Sequence, residues 1–140
     1  MNKTLGFATG LTLAVATLDA YGADAALRND IAADYRERLG ALFEHFHRNP
    51  ELSGHEVETS KRLAQELRAL GYEVTEGVGK TGLVAIMRNG PGPTVLLRAD
   101  MDGLPVEEKS GLPYASTVHQ VHSAGVGQPV MHACGHEVDM

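Results

Sequence analysis

The chain contains no tryptophan, one cysteine and no block of lysine or arginine residues. Aromatic residues make up only 5% of its 140 positions, and the formal net charge at pH 7 is −6. Nucleic-acid-binding domains usually carry a basic surface, and single-strand binders also need aromatic side chains for base stacking. We therefore expect no nucleic-acid partner. The 43% hydrophobic content is typical of a globular chain, either one domain or a piece of a larger one.

The first 25 residues differ in character from the rest of the chain. A short positive start, MNK, precedes the uncharged apolar run TLGFATGLTLAVATL and the small residues of AYGADAA. This order is typical of a secretory signal peptide, and the run is short for a membrane span. A buried helix or an uncleaved anchor is the alternative. We predict a signal peptide at 1–25 and a periplasmic or secreted mature chain at 26–140, free of the membrane.

Two helix patterns follow. Pro50 ends the first, whose apolar face repeats every three or four positions: Ile31, Tyr35, Leu39, Leu42, Phe43 and Phe46. The second helix is predicted over residues 54–70 and begins with a capping box of Ser53 and Glu56. Gly71 stands where a glycine commonly ends a helix.

Three strand patterns come next: YEVTE, LVAIMR and TVLLRA. The loops between them, GVGKTG and NGPGP, are short, and short loops join antiparallel neighbours. LVAIM and VLLRA are almost continuously apolar, which favours central strands covered on both faces. The sequence therefore predicts an α/β fold with a mixed sheet flanked by helices, and mostly loop from Pro105 to Pro129.

The loop GVGKTG also matches the Gly-x-Gly-x-x-Gly pattern of dinucleotide-binding folds. That pattern binds a pyrophosphate where its glycines open a helix. Here they open LVAIM, which is too short for such a helix before NGPGP interrupts it. We therefore interpret the loop as a hairpin.

Two acids follow the TVLLRA strand pattern. Asp100 and Asp102 lie beyond its carboxyl end, which is the usual side for a site in α/β sheets. A buried carboxylate must be solvated, paired or bound to a metal, because leaving it unpaired is costly. The alternative is that these acids cap a loop or pair with Arg98.

The single cysteine, Cys134, lies two positions before His136. In an exported chain it cannot form an internal disulfide, so it is a buried thiol, an intermolecular bridge or a metal ligand. In an extended segment both side chains point the same way, and thiolate and imidazole suit Zn, Mn or Co. Since a stable site needs three or four ligands, His132, Glu137 and Asp139 are further candidates.

Four ordered motifs, FHRNPELSGHE, VLLRADMDGLPVEE, SGLPYAS and VMHACGHE, together resemble the M20 metallopeptidase superfamily. The nearest branch comprises amidohydrolases that act on hippurate-like and auxin-conjugate N-acyl amino acids. The resemblance covers roughly residues 30–138. It implies an incomplete zinc-exopeptidase-like catalytic domain, with the lid or dimerisation domain absent.

The resemblance assigns roles to individual residues. Cys134 and His136 match two ligands of a centre that holds two divalent ions, Zn, Mn or Co. Asp102 matches a catalytic-site aspartate that supports the ligands. Asp100 stands where other branches have a metal-binding histidine.

Other positions match structural residues of the family or depart from its pattern. Glu51 and Glu56 match positions that look structural. Glu137 and Asp139 depart from the family's Cys-Gly-His-Asp-x-His, in which aspartate and histidine occupy those places. The Glu-Glu pair that supplies a base and a ligand, and the later histidines, would lie beyond residue 140.

The implied activity of the intact protein is hydrolysis of the amide bond of an N-acyl amino acid by metal-activated water. Its expected partner is that small molecule, and the resemblance also allows a homo-oligomer. We expect the 140 residues alone to be inactive and to expose apolar surface. The alternatives are a decayed or truncated non-catalytic product and an exported metal-binding module.

Overall fold

The computed structural model describes residues 16–121 and 125–140, with side chains described from Asp24 onward. Most of the predicted signal peptide therefore lies outside the described residues. The described residues divide into two compact units, one that ends at Leu39 and one that spans Gly40–Met140. In the part that the structure describes, no helix has both the length and the apolar character to cross a bilayer.

The first unit is helical throughout its described length. Helix α1 spans Ala16–Asp34 and leads into a π-helical turn at Tyr35–Leu39. The periodicity therefore predicted a helix correctly here. Two residues of its apolar face, Ile31 and Tyr35, are nevertheless 56% and 55% exposed.

The second unit combines helices with short strands. Its described elements are α2 (Gly40–Arg48), α3 (Val57–Ala69), β1 (Glu73–Val78), β2 (Gly82–Ile86), β3 (His119–Val121), β4 (Gly127–Pro129) and α4 (His136–Asp139). β1 pairs with β2 and β3 with β4, both antiparallel. Isolated bridges join Leu52 to Gly103 in parallel and Leu104 to Met131 antiparallel. The predicted α/β class is confirmed, with the described strands in two small antiparallel sheets and parallel pairing limited, among the described residues, to the isolated bridge Leu52–Gly103.

The start of α3 differs from the predicted capping box. The helix begins at Val57 rather than at residue 54, and no side chain caps it from its N-cap position, Glu56. The Glu51 carboxylate accepts hydrogen bonds from the backbone N–H groups of Glu58 (3.2 Å) and Thr59 (2.8 Å) instead. A carboxylate there satisfies free N–H groups and interacts favourably with the helix dipole.

The end of α3 is as predicted at Gly71, which has a φ of +88°. The Gly71 N–H donates to the Arg68 carbonyl, and the Tyr72 N–H donates to the Leu67 carbonyl, both at 3.0 Å. This pair of bonds is the Schellman motif, in which a left-handed residue after the helix satisfies its last carbonyls.

The hairpin interpretation of GVGKTG is confirmed. β1 and β2 pair in a register that places Thr75 opposite Val84. Within the loop, Gly79 and Lys80 have positive φ angles of 63° and 94°. The Thr81 hydroxyl donates to Glu56 Oε2 at 2.6 Å, which links the hairpin to the start of α3.

The third predicted strand, TVLLRA, has no regular structure in this chain. Val95, Leu96 and Leu97 are 80%, 84% and 93% exposed. An apolar strand forms when neighbouring strands pair with it and other elements cover its faces. No described strand lies beside these residues, so the predicted central strand is wrong for this chain as it stands.

The buried apolar side chains among the described residues of the second unit are Phe46, Pro50, Leu52, Leu63, Ala64 and Val130. Gly103 lies against this core, and its N–H donates to the Glu51 carbonyl at 2.7 Å. A Cβ at Gly103 would lie 2.8 Å from Val130 Cγ1 and 2.9 Å from Pro50 Cβ. The segment carrying Asp102 can therefore pack this closely only because residue 103 has no side chain.

Candidate functional site

The structure brings Asp102 and His136 together, although 34 positions separate them. His136 Nδ1 lies 2.8 Å from the Asp102 carbonyl oxygen and 3.1 Å from the carboxylate atom Oδ1. Both acceptors face the same nitrogen, so Nδ1 carries the proton in a neutral ring and Nε2 keeps its lone pair. Both side chains are largely buried, at 16% and 22% exposure.

Cys134 occupies an exposed turn rather than an extended segment. Gly135 has a φ of +79°, and His136 begins helix α4 directly after it. No atom of the described residues lies within 4 Å of the place where a Cβ at Gly135 would stand, so the glycine serves the left-handed turn rather than a close approach. The prediction that Cys134 and His136 lie on one side of an extended segment is therefore wrong.

Asp100 does not join this pair. Arg98 Nη2 lies 2.5 Å from Asp100 Oδ1, and these side chains are 76% and 42% exposed. The structure therefore shows the alternative arrangement, in which Asp100 pairs with Arg98.

A buried histidine links two buried carboxylates beside this site. His47, on α2, has Nδ1 2.9 Å from Glu137 Oε1 and Nε2 3.0 Å from Glu108 Oε1. The three side chains are only 10%, 4% and 1% exposed, in the order His47, Glu137, Glu108. A neutral imidazole has one donor and one acceptor nitrogen, so only the imidazolium donates to both carboxylates. The geometry therefore favours a charged His47.

The surroundings shift the pKa values of His47 and Glu108 in opposite directions. Burial lowers the pKa of His47, but its hydrogen bonds and attraction to Glu108 and Glu137 outweigh burial and raise the pKa above 6.5. Burial raises the pKa of Glu108, but hydrogen bonds from Ser110, His47 and the Ser116 N–H outweigh burial and hold the pKa below 4.5. Both shifts favour the ion pair.

His132 lies on the other side of Glu137. Its side chain is 0% exposed, and its Nδ1 is 3.7 Å from Glu137 Oε2, too far for a hydrogen bond. Among the described residues, neither ring nitrogen of His132 has a hydrogen-bond partner. Burial and the positive charge of nearby His47 lower the pKa of His132 below 6.5, against the attraction of Glu137 and of the Asp102 backbone.

The described residues hold no group of three or more His, Cys, Asp or Glu side chains arranged to bind a metal ion. Of the further candidates, His132 and Glu137 are buried, and Asp139 is exposed on α4. The roles of Cys134 and His136 as ligands and of Asp102 as their support stay predictions.

Sequence reasoning missed His47 and Glu108. His47 follows the buried Phe46 within the motif FHRNPELSGHE, and Glu108 ends the motif VLLRADMDGLPVEE. A charged residue inside a motif that otherwise packs a core is a signal for a buried polar pair, because such groups are rarely buried unless paired. The motifs alone do not reveal which partner each one meets.

Comparison with known proteins finds similar chains over most of this length. A thermostable carboxypeptidase of Saccharolobus solfataricus is 47% identical over 113 residues, 79% of this chain and 26% of its own. Hippurate hydrolase of Campylobacter jejuni is 46% identical over 92 residues, 65% of this chain and 22% of its own. No family model matches the chain.

A solved structure shares the fold. The YXEP protein of Bacillus subtilis, described as a dinuclear metal-binding peptidase of the M20 family, superposes with a TM-score of 0.62 and 36% sequence identity. The match covers 75% of this chain and 28% of that one. The chain thus spans about a quarter of the length of the relatives it matches.

Proposed function

Because the chain belongs to the M20 metallopeptidase superfamily, on its amidohydrolase side, we propose that it is part of a metal-dependent hydrolase of amide bonds. The substrates proposed are N-acyl amino acids or related conjugates. Similar proteins named hippurate hydrolase and N-acetyl-L-cysteine deacetylase support this substrate class.

The observation that carries the proposal is the contact of Asp102 with His136. Histidines that bind metals usually donate their other ring N–H to a carboxylate or a carbonyl oxygen, which fixes the tautomer and the ring orientation. Here both kinds of acceptor face Nδ1 of His136. The remaining nitrogen, Nε2, is thereby prepared to donate its lone pair to an ion.

The two candidate ligands, a thiol and an imidazole, are of the chemical types that bind divalent transition-metal ions. Cys134 offers an exposed thiol and His136 an oriented imidazole, and Zn, Mn and Co are the ions proposed for such ligands. When bound in a hydrolase, such ions lower the pKa of water and polarise the scissile carbonyl. Asp102 holds the Nδ1 proton of His136, and Cys134 remains accessible from solvent.

We propose that the 140 residues alone do not catalyse hydrolysis. Of the three or four donors that a stable site needs, we assign two, Cys134 and His136, and the described residues form no cluster of three or more candidate ligands. An inactive 140-residue chain is also what two alternatives predict, a decayed or truncated non-catalytic product and an exported metal-binding module. Full-length product with metal-dependent amidase activity would exclude both.

Export to the periplasm or the medium is also proposed. It rests on the order of charged, apolar and small residues in 1–25. Fractionation of cells that express the chain, with N-terminal sequencing of the secreted form, tests this proposal. A cytoplasmic chain that retains Met1 would contradict it.

Cobalt(II) titration tests the ligand assignment. Cys134 is the one cysteine of the sequence, so thiolate-to-cobalt charge-transfer absorption can arise only from it. With only two donors the site in the 140-residue chain should be weak, so we expect this band only at high cobalt concentration, its loss in C134S and a still weaker affinity in H136Q. The control H119Q changes an exposed histidine on β3 and should leave the titration unchanged. Absence of the band even at high cobalt concentration, or unchanged affinity in H136Q, would contradict the assignment.

A further inference from the structure

The turn that carries Cys134 and His136 has little support of its own. Helix α4 comprises four residues, His136–Asp139, and so short a helix is not stable in isolation. The preceding Gly135 lies in the left-handed region with open space around it. The orientation of this segment must therefore come from contacts with other parts of the second unit.

Two side-chain contacts supply that orientation. Asp102 holds His136 directly, as described above. Glu137, the next residue, places Oε1 2.9 Å from Nδ1 of His47. Helix α4 accordingly packs against α2 at this point.

His47 is itself fixed at its other nitrogen. Nε2 lies 3.0 Å from Glu108 Oε1, and Glu108 also accepts hydrogen bonds from the Ser110 hydroxyl and from the Ser116 N–H, the latter at 2.5 Å. The His47 ring thus connects α4 to a loop far from it in sequence. Packing adds to this, because the ring of Tyr114 lies edge-on at 5.3 Å.

We propose that His47 is a positioning residue, whose hydrogen bond to Glu137 holds α4 in the orientation that keeps His136 against Asp102. The significance for metal binding rests on the proposed function, whereas the positional effect can be measured without any metal. A histidine that only filled the core would stabilise the fold but would leave the state of the His136 ring unchanged in folded protein.

The test measures the tautomer of His136 in the metal-free, ¹⁵N-labelled 140-residue chain. Long-range ¹H–¹⁵N spectra at about pH 7.5, above the ordinary pKa of histidine, distinguish a ring protonated at Nδ1 from a mixture of tautomers. We expect the wild-type ring to show the Nδ1–H form alone. In H47F and in E137M the single form should be lost, with the two ¹⁵N shifts of His136 moving toward each other.

Matched variants separate positioning from packing and charge. E137Q keeps an acceptor for His47 without the charge, so the single tautomer should persist. H45F makes the same change as H47F at an exposed position of α2 and should also leave His136 unchanged. E137M leaves His47 paired with Glu108, and it therefore tests the proposal even if H47F does not fold.

The double variant H47F/E137M removes both ends of the hydrogen bond. We expect its His136 spectrum to match those of the single variants, because two changes to one interaction are not additive. A wild-type His136 tautomer in folded H47F or E137M would overturn the proposal. Since no metal is added, that result would leave the cobalt titration as an independent test of the proposed function.

Discussion

Asp102 presents two oxygens to one nitrogen of His136, its own carbonyl at 2.8 Å and its carboxylate at 3.1 Å. The backbone acceptor survives any substitution of the side chain, whereas the carboxylate does not. The two contributions to the orientation of the imidazole can therefore be separated by mutation.

We expect D102N to weaken cobalt binding by roughly 10- to 100-fold, the usual cost of removing a carboxylate that supports a metal-binding histidine. The charge-transfer band of Cys134 provides the measurement. D100N is the matched control, because Asp100 pairs with Arg98 on the exposed side of the same segment. Equal losses of affinity in D100N and D102N would point to general electrostatics rather than to support of His136.

The His47–Glu108 pair predicts a window of pH in which it stabilises the fold. The pKa of His47 is raised, so its contribution is complete below 6.5 and is lost as pH rises through the raised value. The pKa of Glu108 is lowered, so its contribution is complete above 4.5 and is lost as pH falls through the lowered value. The pair therefore stabilises most between pH 4.5 and 6.5.

Urea unfolding at a series of pH values measures this window. In it, H47F should lower the free energy of unfolding by roughly 3–5 kcal/mol, the cost of leaving buried charges without their partner. The difference from wild type should shrink toward alkaline and toward strongly acidic pH. H45F is the control, and a difference for H47F that does not vary with pH would contradict the ion pair.

Two arrangements can be tested at the start of α3: capping by the Glu51 carboxylate, as in the structure, and capping by Ser53, as in the sequence pattern. E51A removes the carboxylate that accepts from the N–H groups of Glu58 and Thr59, and should cost about 1 kcal/mol in the free energy of unfolding. S53A removes the side chain that the sequence pattern placed at the N-cap, and should cost little because Ser53 lies outside the helix. If S53A lowers the free energy of unfolding more than E51A does, the capping box predicted from the sequence is correct and the cap by Glu51 is not.

Gly103 gives a prediction about close packing. G103A should lower the free energy of unfolding by about 1–3 kcal/mol, because the added methyl group meets Val130 and Pro50 at less than 3.0 Å. G127A is the control, since a Cβ there meets no atom of the described residues within 4 Å. Chemical denaturation of the two variants measures the difference. Similar free energies of unfolding for G103A and G127A would contradict the prediction, because they would show that Val130 and Pro50 move aside without loss of stability.

Features decided within a few residues could be predicted from the sequence. The glycine that ends α3 and the hairpin of GVGKTG both follow from local backbone preferences, and both are observed. The capping of α3 was predicted wrongly because the group that caps it, Glu51, comes from eight positions before Thr59. The local pattern favoured Ser53 as the cap, but the backbone N–H groups of Glu58 and Thr59 donate to the more distant Glu51 carboxylate instead.

The buried charge cluster could not be predicted, since its members are far apart in sequence. His47 lies 61 positions from Glu108 and 90 from Glu137, and only the folded chain brings them together. The resemblance located Asp102 and His136 in their motifs, while their mutual contact required coordinates. The strand TVLLRA was predicted from its apolar content. Such a segment forms a central strand only when other strands pair with it, and no described strand does so here.

The solvent-facing side chains of Val95, Leu96 and Leu97 have a calorimetric consequence. Hydration of apolar groups raises the heat capacity of unfolding only where those groups pass from the interior to water. These three are already mostly exposed in the native chain, so they add little to that change. Both the heat-capacity increment and the urea dependence of unfolding will therefore be smaller than the apolar composition suggests.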